Sequence, residues 1–346
     1  MSLTGLLSRA FLQGCHDTTA EGVGQFVAAR ERAAREGRGL VTVSNHISVI
    51  DDPLIWGLLP LSKMFRPSTL RWSLGAANVC FTTAATGFFF SMGQVLATYR
   101  FGTGPFQGSL DAAVFLLTPK GGSSSSGPAA SSGPAAAADG PAAGTLDAAD
   151  GAGERWPTDA LPPQWVHIFP EAMVHQAYPP HKTTMRYFHW GVARLVLEPP
   201  ATADGKPPMV VPIFHTGLDD VFPEDRASWK YVPRTLWPRR RADRVKLAFK
   251  FGEPLPDELF AAERAQWRAI LAAQPDGHDS AAARELRSRV AAKVREHMVA
   301  LRAGMGLPAE DPRLAQPGFW ADVAQLGDVR VAGKYGNTVA AAERDG

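Results

Sequence analysis

Short apolar runs and longer amphipathic stretches alternate along the chain. Leu40 to Val43 is a four-residue apolar run with two valines and predicts a buried strand. Val166 to Phe169, Val210 to Phe214 and Val245 to Phe251 predict further strands. Gly22 to Gly37 has the charge pattern of an amphipathic helix bounded by glycine. Asp52 followed by Pro53 predicts a helix start, with Asp52 as cap and Pro53 in the first helical position. Glu258 to Leu301 keeps a helical pattern rich in Ala and Arg, broken at Gln274-Pro275-Asp276-Gly277. Strands alternating with helices imply an α/β layered fold.

Two stretches break this rhythm. No charge occurs between Arg71 and Arg100, and Phe81, Phe88, Phe89 and Phe90 fall within that stretch. It is long enough for a bilayer, which needs about 20 apolar residues. Asn78, Thr82, Thr83, Thr86, Ser91 and Gln94 dilute it, so a segment in the core or in a membrane interface is expected in place of a span. Residues 121–160 are dominated by Gly, Ser, Pro and Ala and predict a disordered surface insert. The strand at Val166 follows this insert and completes the same sheet, so the insert divides one domain into parts 1–120 and 161–256. Residues 257–346 form a C-terminal helical extension and tail, and the last 40 residues are expected to be weakly structured. The first 15 residues predict a plain first helix, with an interfacial or targeting helix as the alternative.

Composition narrows the function classes. The chain has 346 residues, 45% of them hydrophobic and 20% charged, which supports a sizeable core. A net charge of +2 does not suggest a nucleic-acid partner. The basic run Arg239 to Arg244 is a solvated face or a contact for anionic lipid. Cys15 and Cys80 form neither a disulfide framework nor a metal pattern, and no metal is expected. Phosphate-loop, dinucleotide and GxSxG motifs are missing, so no cofactor is expected.

The chemistry concentrates in Asn45 to Pro53, NHISVIDDP. His46 and Asp51 are five positions apart, a rotation of about 140° on a helix, so they meet only across a strand-to-helix turn. There an imidazole takes a proton from an alcohol while the carboxylate fixes its tautomer. The residues alone leave open that His46 is an ordinary turn residue. Arg100 is either a lipid-phosphate ligand or a surface arginine closing an apolar stretch. Glu171 is either a site residue or a solvated turn carboxylate.

NHISVIDDP resembles the first block, Asn-His-x-x-x-x-Asp, of the glycerolipid acyltransferase superfamily. Phe88 to Val114, HIFPEAMVHQ from His167, MRYFHWGVARLVLEP from Met185 and VVPIFHTGLDDVFP from Val210 resemble further blocks, in order. The second aspartate and the stretch around Trp190-Gly191 resemble the tafazzin family within it. The resemblance implies a glycerolipid-acyltransferase-like fold, a mixed central sheet flanked by helices. It implies transfer of an acyl chain from a phospholipid to a lysophospholipid, in cardiolipin remodelling at a mitochondrial membrane, by a peripheral or interfacially anchored protein. His46 and Asp51 would be catalytic, and Arg100 and Glu171 would bind substrate. An acyl-CoA donor, acylation of phosphatidylethanolamine nitrogen, and a non-catalytic lipid-binding role are the alternatives. Two residues depart from the pattern: Ala172 replaces a usual glycine and His189 a usual lysine.

Overall fold

The computed structural model describes residues 2–65, 69–100, 104–119, 162–179, 181–223 and 244–326. The insert at 121–160 and the basic run before Arg244 lie outside the described residues.

Seven strands form one mixed sheet: β1 (Asp17–Glu21), β2 (Leu40–Ser44), β3 (Trp72–Ala76), β4 (Val95–Thr98), β5 (Trp165–Ile168), β6 (Met209–Thr216) and β7 (Lys246–Phe251). Their order is β1-β7-β6-β2-β5-β3-β4. β6 and β7 pair antiparallel, and every other neighbouring pair is parallel. The central strand β2 is buried at all five positions. Such strands read as continuous apolar runs because helices cover both faces.

Alternation assigns each side chain to a face. Val41, Val43, Val166 and Ile168 join one core, and Leu40, Trp165, Val211 and Ile213 join the other. The first core is closed by α6 (Gly108–Leu117), α7 (Gly191–Leu197), α9 (Ala261–Ala273) and α10 (Ala281–Ala303). The second is closed by α1 (Ser2–Ala10), α2 (Val23–Arg35), α3 (Asp51–Gly57) and the short α8 (Leu218–Val221). At Gly57 an added Cβ would lie 2.7 Å from Ser8 Cβ, so α1 and α3 approach that closely only because the position has no side chain.

The uncharged stretch between Arg71 and Arg100 does not form one long element. It divides into β3, α4 (Ala77–Cys80), α5 (Ala84–Met92) and β4. No described helix is long and apolar enough to cross a membrane. No residue of α5 is buried, so of the two expectations for this stretch, core or membrane interface, α5 does not follow the core one. The expectation of a weakly structured C-terminus is corrected for the described residues up to 326, and residues 327–346 lie outside them. Residues after 305 continue into a turn at Pro312–Ala315 and helix α11 (Pro317–Leu326), with Leu314 and Trp320 buried. They are held by single polar and aromatic anchors that leave no periodic trace.

Candidate active site

β2 ends at Ser44, and the chain turns through residues 45–50 into α3. This is the strand-to-helix turn that the His46–Asp51 spacing demands. Asp51 is fully buried, and its Oδ2 lies 2.9 Å from His46 Nδ1. The N–H groups of Ile47 and Ser48 donate to the same oxygen at 2.7 and 2.9 Å. With Asp51 as a carboxylate, this network places the proton of a neutral His46 on Nδ1 and leaves Nε2 as an acceptor. The ring stacks on Phe169, with centroids 4.2 Å apart.

Four further residues fix the turn. The Asn45 side chain donates to the His215 carbonyl at 2.9 Å and accepts the His215 N–H at 3.0 Å. His215 Nε2 lies 3.0 Å from the Asn45 carbonyl and 3.7 Å from Asp51 Oδ2. Burial pulls the His215 imidazole below its usual value, so a neutral ring packs behind Asp51. The backbone of His46 is gripped on both sides: its N–H donates to Glu171 Oε1 at 2.9 Å, and its carbonyl accepts the His175 N–H at 2.7 Å.

Glu171 is 1% exposed, and its second oxygen accepts the Arg186 N–H at 2.9 Å. Burial pushes its carboxyl up to about 8, against the pull of these two N–H groups. The Glu171 carboxyl group holds backbone, and the solvated-turn alternative does not describe it.

Asp52 does not cap the helix. It is the second residue of α3, preceded by Ile50 at the N-cap and Asp51. Its carboxylate pairs with Arg71, accepts from Trp56 Nε1 at 2.6 Å and accepts from Ser73 Oγ at 3.2 Å. Burial would raise this carboxyl, but Arg71 overrides burial and holds it below its ordinary value.

A cavity of about 760 Å³ opens over this turn. His46, Asp52, Arg100 and Ala172 lie on its wall with the apolar side chains of Leu74, Val79, Phe90, Leu110 and Phe188. The volume and lining suit a ligand that is mostly apolar with a few polar groups. Arg100 Nη2 donates to Asn78 Oδ1 at 3.2 Å. Ala172 holds φ at +59°, so the backbone keeps the conformation a glycine would favour even though the side chain is methyl. His189 is also on the wall, and burial lowers its imidazole to about 4, so the ring is neutral where a lysine would carry charge.

Sequence reasoning brought His46 and Asp51 together correctly in space. It did not find the Asn45–His215 lock or the Asp52–Arg71 pair. Their only signal is that Asn45 flanks His46 and that Asp52 doubles Asp51, and neither reveals a partner far along the chain.

The acyltransferase family model matches residues 26–216. Tafazzin of Saccharomyces cerevisiae is 37% identical over 329 residues, covering 92% of this chain and 81% of that protein. The chain belongs to the tafazzin family of acyltransferases. A Dictyostelium discoideum protein named taffazin is 30% identical over 222 residues, covering 64% of this chain and 60% of its own. N-acylphosphatidylethanolamine synthase of Arabidopsis thaliana is 29% identical over 189 residues, covering 55% of this chain and 48% of that protein. The chain is thus an O-acyltransferase, as the motifs implied.

Proposed function

We propose that this protein moves a fatty acyl chain from a phospholipid to a lysophospholipid at a membrane surface, with His46 as general base. The observation that carries the reading is the His46–Asp51 pair on the wall of a large, mainly apolar cavity. In the proposed step, His46 Nε2 takes the proton of the lysophospholipid hydroxyl as its oxygen attacks the acyl ester of the donor. Asp51 stabilises the imidazolium through Nδ1. The tetrahedral intermediate collapses, the donor's glycerol oxygen leaves, and His46 returns the proton to it. Hydroxyl and ester exchange places, so no oxidant, metal or second cofactor is required. Arg100 is the candidate ligand for a lipid phosphate. Glu171 acts as a positioning residue, because its two oxygens hold the backbone of His46 and Arg186.

A membrane location is supported by the distribution of apolar surface. Among the described residues, every strongly exposed large hydrophobic side chain lies between Leu3 and Tyr99. Phe88 and Phe89 are 69% and 61% exposed, on an α5 helix that also carries the exposed Met92. Val49, Val79 and Tyr99 are exposed and also line the cavity, and apolar surface of this kind fits peripheral contact with a bilayer. Membership of the tafazzin family supports a mitochondrial membrane and a role in cardiolipin remodelling. Acyl exchange between labelled phosphatidylcholine and a lysophospholipid, with and without acyl-CoA, tests the donor. Exchange without acyl-CoA is expected; strict dependence on acyl-CoA overturns the phospholipid donor.

A further inference from the structure

We propose that Glu310, far from the motifs in sequence, is a positioning residue that sets the His46 peptide through a buried chain of hydrogen bonds. The chain begins where α10 and the segment after it meet the stretch Thr183 to Arg186. Arg295 and Glu310 form an ion pair at 2.7 Å, with side chains 7% and 3% exposed. Glu310 Oε1 accepts the Met185 N–H at 2.8 Å. Arg295 Nη2 donates to the Met185 carbonyl at 2.7 Å and Nε to the Arg186 carbonyl at 2.8 Å. Arg302 Nε donates to the Thr183 carbonyl at 3.0 Å. Four backbone groups of one four-residue stretch are therefore fastened to the C-terminal helical extension.

That stretch is the other anchor of Glu171. The Arg186 N–H donates to Glu171 Oε2, and Glu171 Oε1 accepts the N–H of His46. A second, independent contact joins the same two regions. Trp320 lies under the Arg186 guanidinium at 4.3 Å and against the His175 ring at 5.1 Å. His175 is the residue whose N–H holds the His46 carbonyl. The His46 N–H thus leads through Glu171 and the Met185–Arg186 backbone to Glu310, and the His46 carbonyl leads through His175 to Trp320.

The geometry needs this support. Thr183 holds φ at +68°, a left-handed conformation a threonine does not keep without external restraint. Glu310 itself is absent from the cavity lining, so its effect on chemistry travels through the groups it bonds, Met185 and Arg295. Removing it also strands Arg295 in a buried site, which costs more than the pair itself contributes. A displacement of the base by about 1 Å is enough to cost roughly 100-fold in rate.

The inference rests on His46 as general base only for its kinetic arm. The test uses the full chain with Glu310→Ala and Glu310→Gln. Arg264→Ala is the control, since Arg264 is another buried arginine that fastens carbonyls, at Val196 and Pro199, away from His46. The first readout is the Nδ1–H proton of His46 in ¹⁵N-histidine-labelled protein, assigned by its loss in His46→Ala. The second is the split between kcat and KM for acyl exchange. Glu310→Ala is expected to shift or exchange-broaden the Nδ1–H signal and to lower kcat about 10- to 100-fold with KM within about twofold. Glu310→Gln, whose amide oxygen still accepts the Met185 N–H, is expected to restore most of both. Arg264→Ala is expected to lower the melting temperature and leave the signal in place. An unchanged signal in Glu310→Ala, or an equal change in Arg264→Ala, overturns the proposal. Should Glu310→Ala not fold, Glu310→Asp, which shortens the reach to Met185, is judged by the same two criteria. A wild-type protein that exchanges no acyl chain overturns the proposed function alone, because the resonance needs no substrate.

Discussion

The cavity has two unlike walls. One, from β3 through α4 and α5 to β4, is apolar and shallow: all of β4 is half-buried and none of α5 is buried. The other, from His46 to Arg295 of α10, is backed by the buried Glu171 and Arg186, which hydrogen-bond the backbone behind it. Elements with few buried contacts open at low free-energy cost, whereas paired buried charges resist displacement. The difference separates two tasks. The apolar wall suits entry of lipid chains of differing shape, and the polar wall suits a base held to within a fraction of an ångström.

The largest expected effect falls on the polar wall. Asp51→Asn keeps the shape of the site but no longer fixes the proton on His46 Nδ1. It is expected to lower kcat by about 10²- to 10⁴-fold with little change in lipid binding, measured by acyl exchange and vesicle co-sedimentation. If kcat falls less than tenfold, the polar wall is not the seat of the chemistry. On the apolar wall the pattern reverses. The double change of Phe88 and Phe89 to Ser removes two exposed rings, each worth about 1.5 kcal/mol or more when buried in lipid. Vesicle affinity is expected to fall roughly 100-fold with an unchanged melting temperature. An unchanged affinity assigns membrane contact to another surface.

Much of the fold was legible because its central strands are short apolar runs. Leu40 to Val43, Val166 to Phe169 and Val210 to Phe214 lie within one or two residues of β2, β5 and β6. Strands β1, β3 and β4 were not legible. β1 reads Asp-Thr-Thr-Ala-Glu, an edge strand with little buried surface, and β3 and β4 lie within a stretch whose apolar character is continuous. The His46–Asp51 contact was legible because its partners sit five residues apart in one turn. Arg186, Arg295 and Glu310 were not, because their bonds go to backbone atoms of a segment more than 100 residues away in the case of Arg295 and Glu310. A sequence records the side chains and not the peptide groups they find.

Two smaller effects sharpen the contrast within the polar wall. Glu171, held at about 8 by burial, keeps a proton that the unfolded chain releases near 4.5. Native stability is therefore expected to decline as pH rises from about 4.5 to about 8, because the unfolded state binds fewer protons there. Glu171→Gln is expected to flatten that slope in melting curves recorded across the window. A slope unchanged by the substitution assigns it to other groups. Ala172→Gly removes the side chain that opposes φ of +59° and is expected to stabilise the fold by ~0.5–1 kcal/mol in denaturant titrations. A loss of stability of that size shows that the methyl group packs usefully on the cavity wall.

The most direct measurement is acyl exchange by His46→Ala in the full chain, with labelled phosphatidylcholine, a lysophospholipid and no acyl-CoA, beside wild type at matched vesicle binding. The expected result is a loss of about 10²- to 10⁴-fold in kcat with the fold intact, as befits removal of a general base. Undiminished exchange contradicts the assignment of the chemistry to His46.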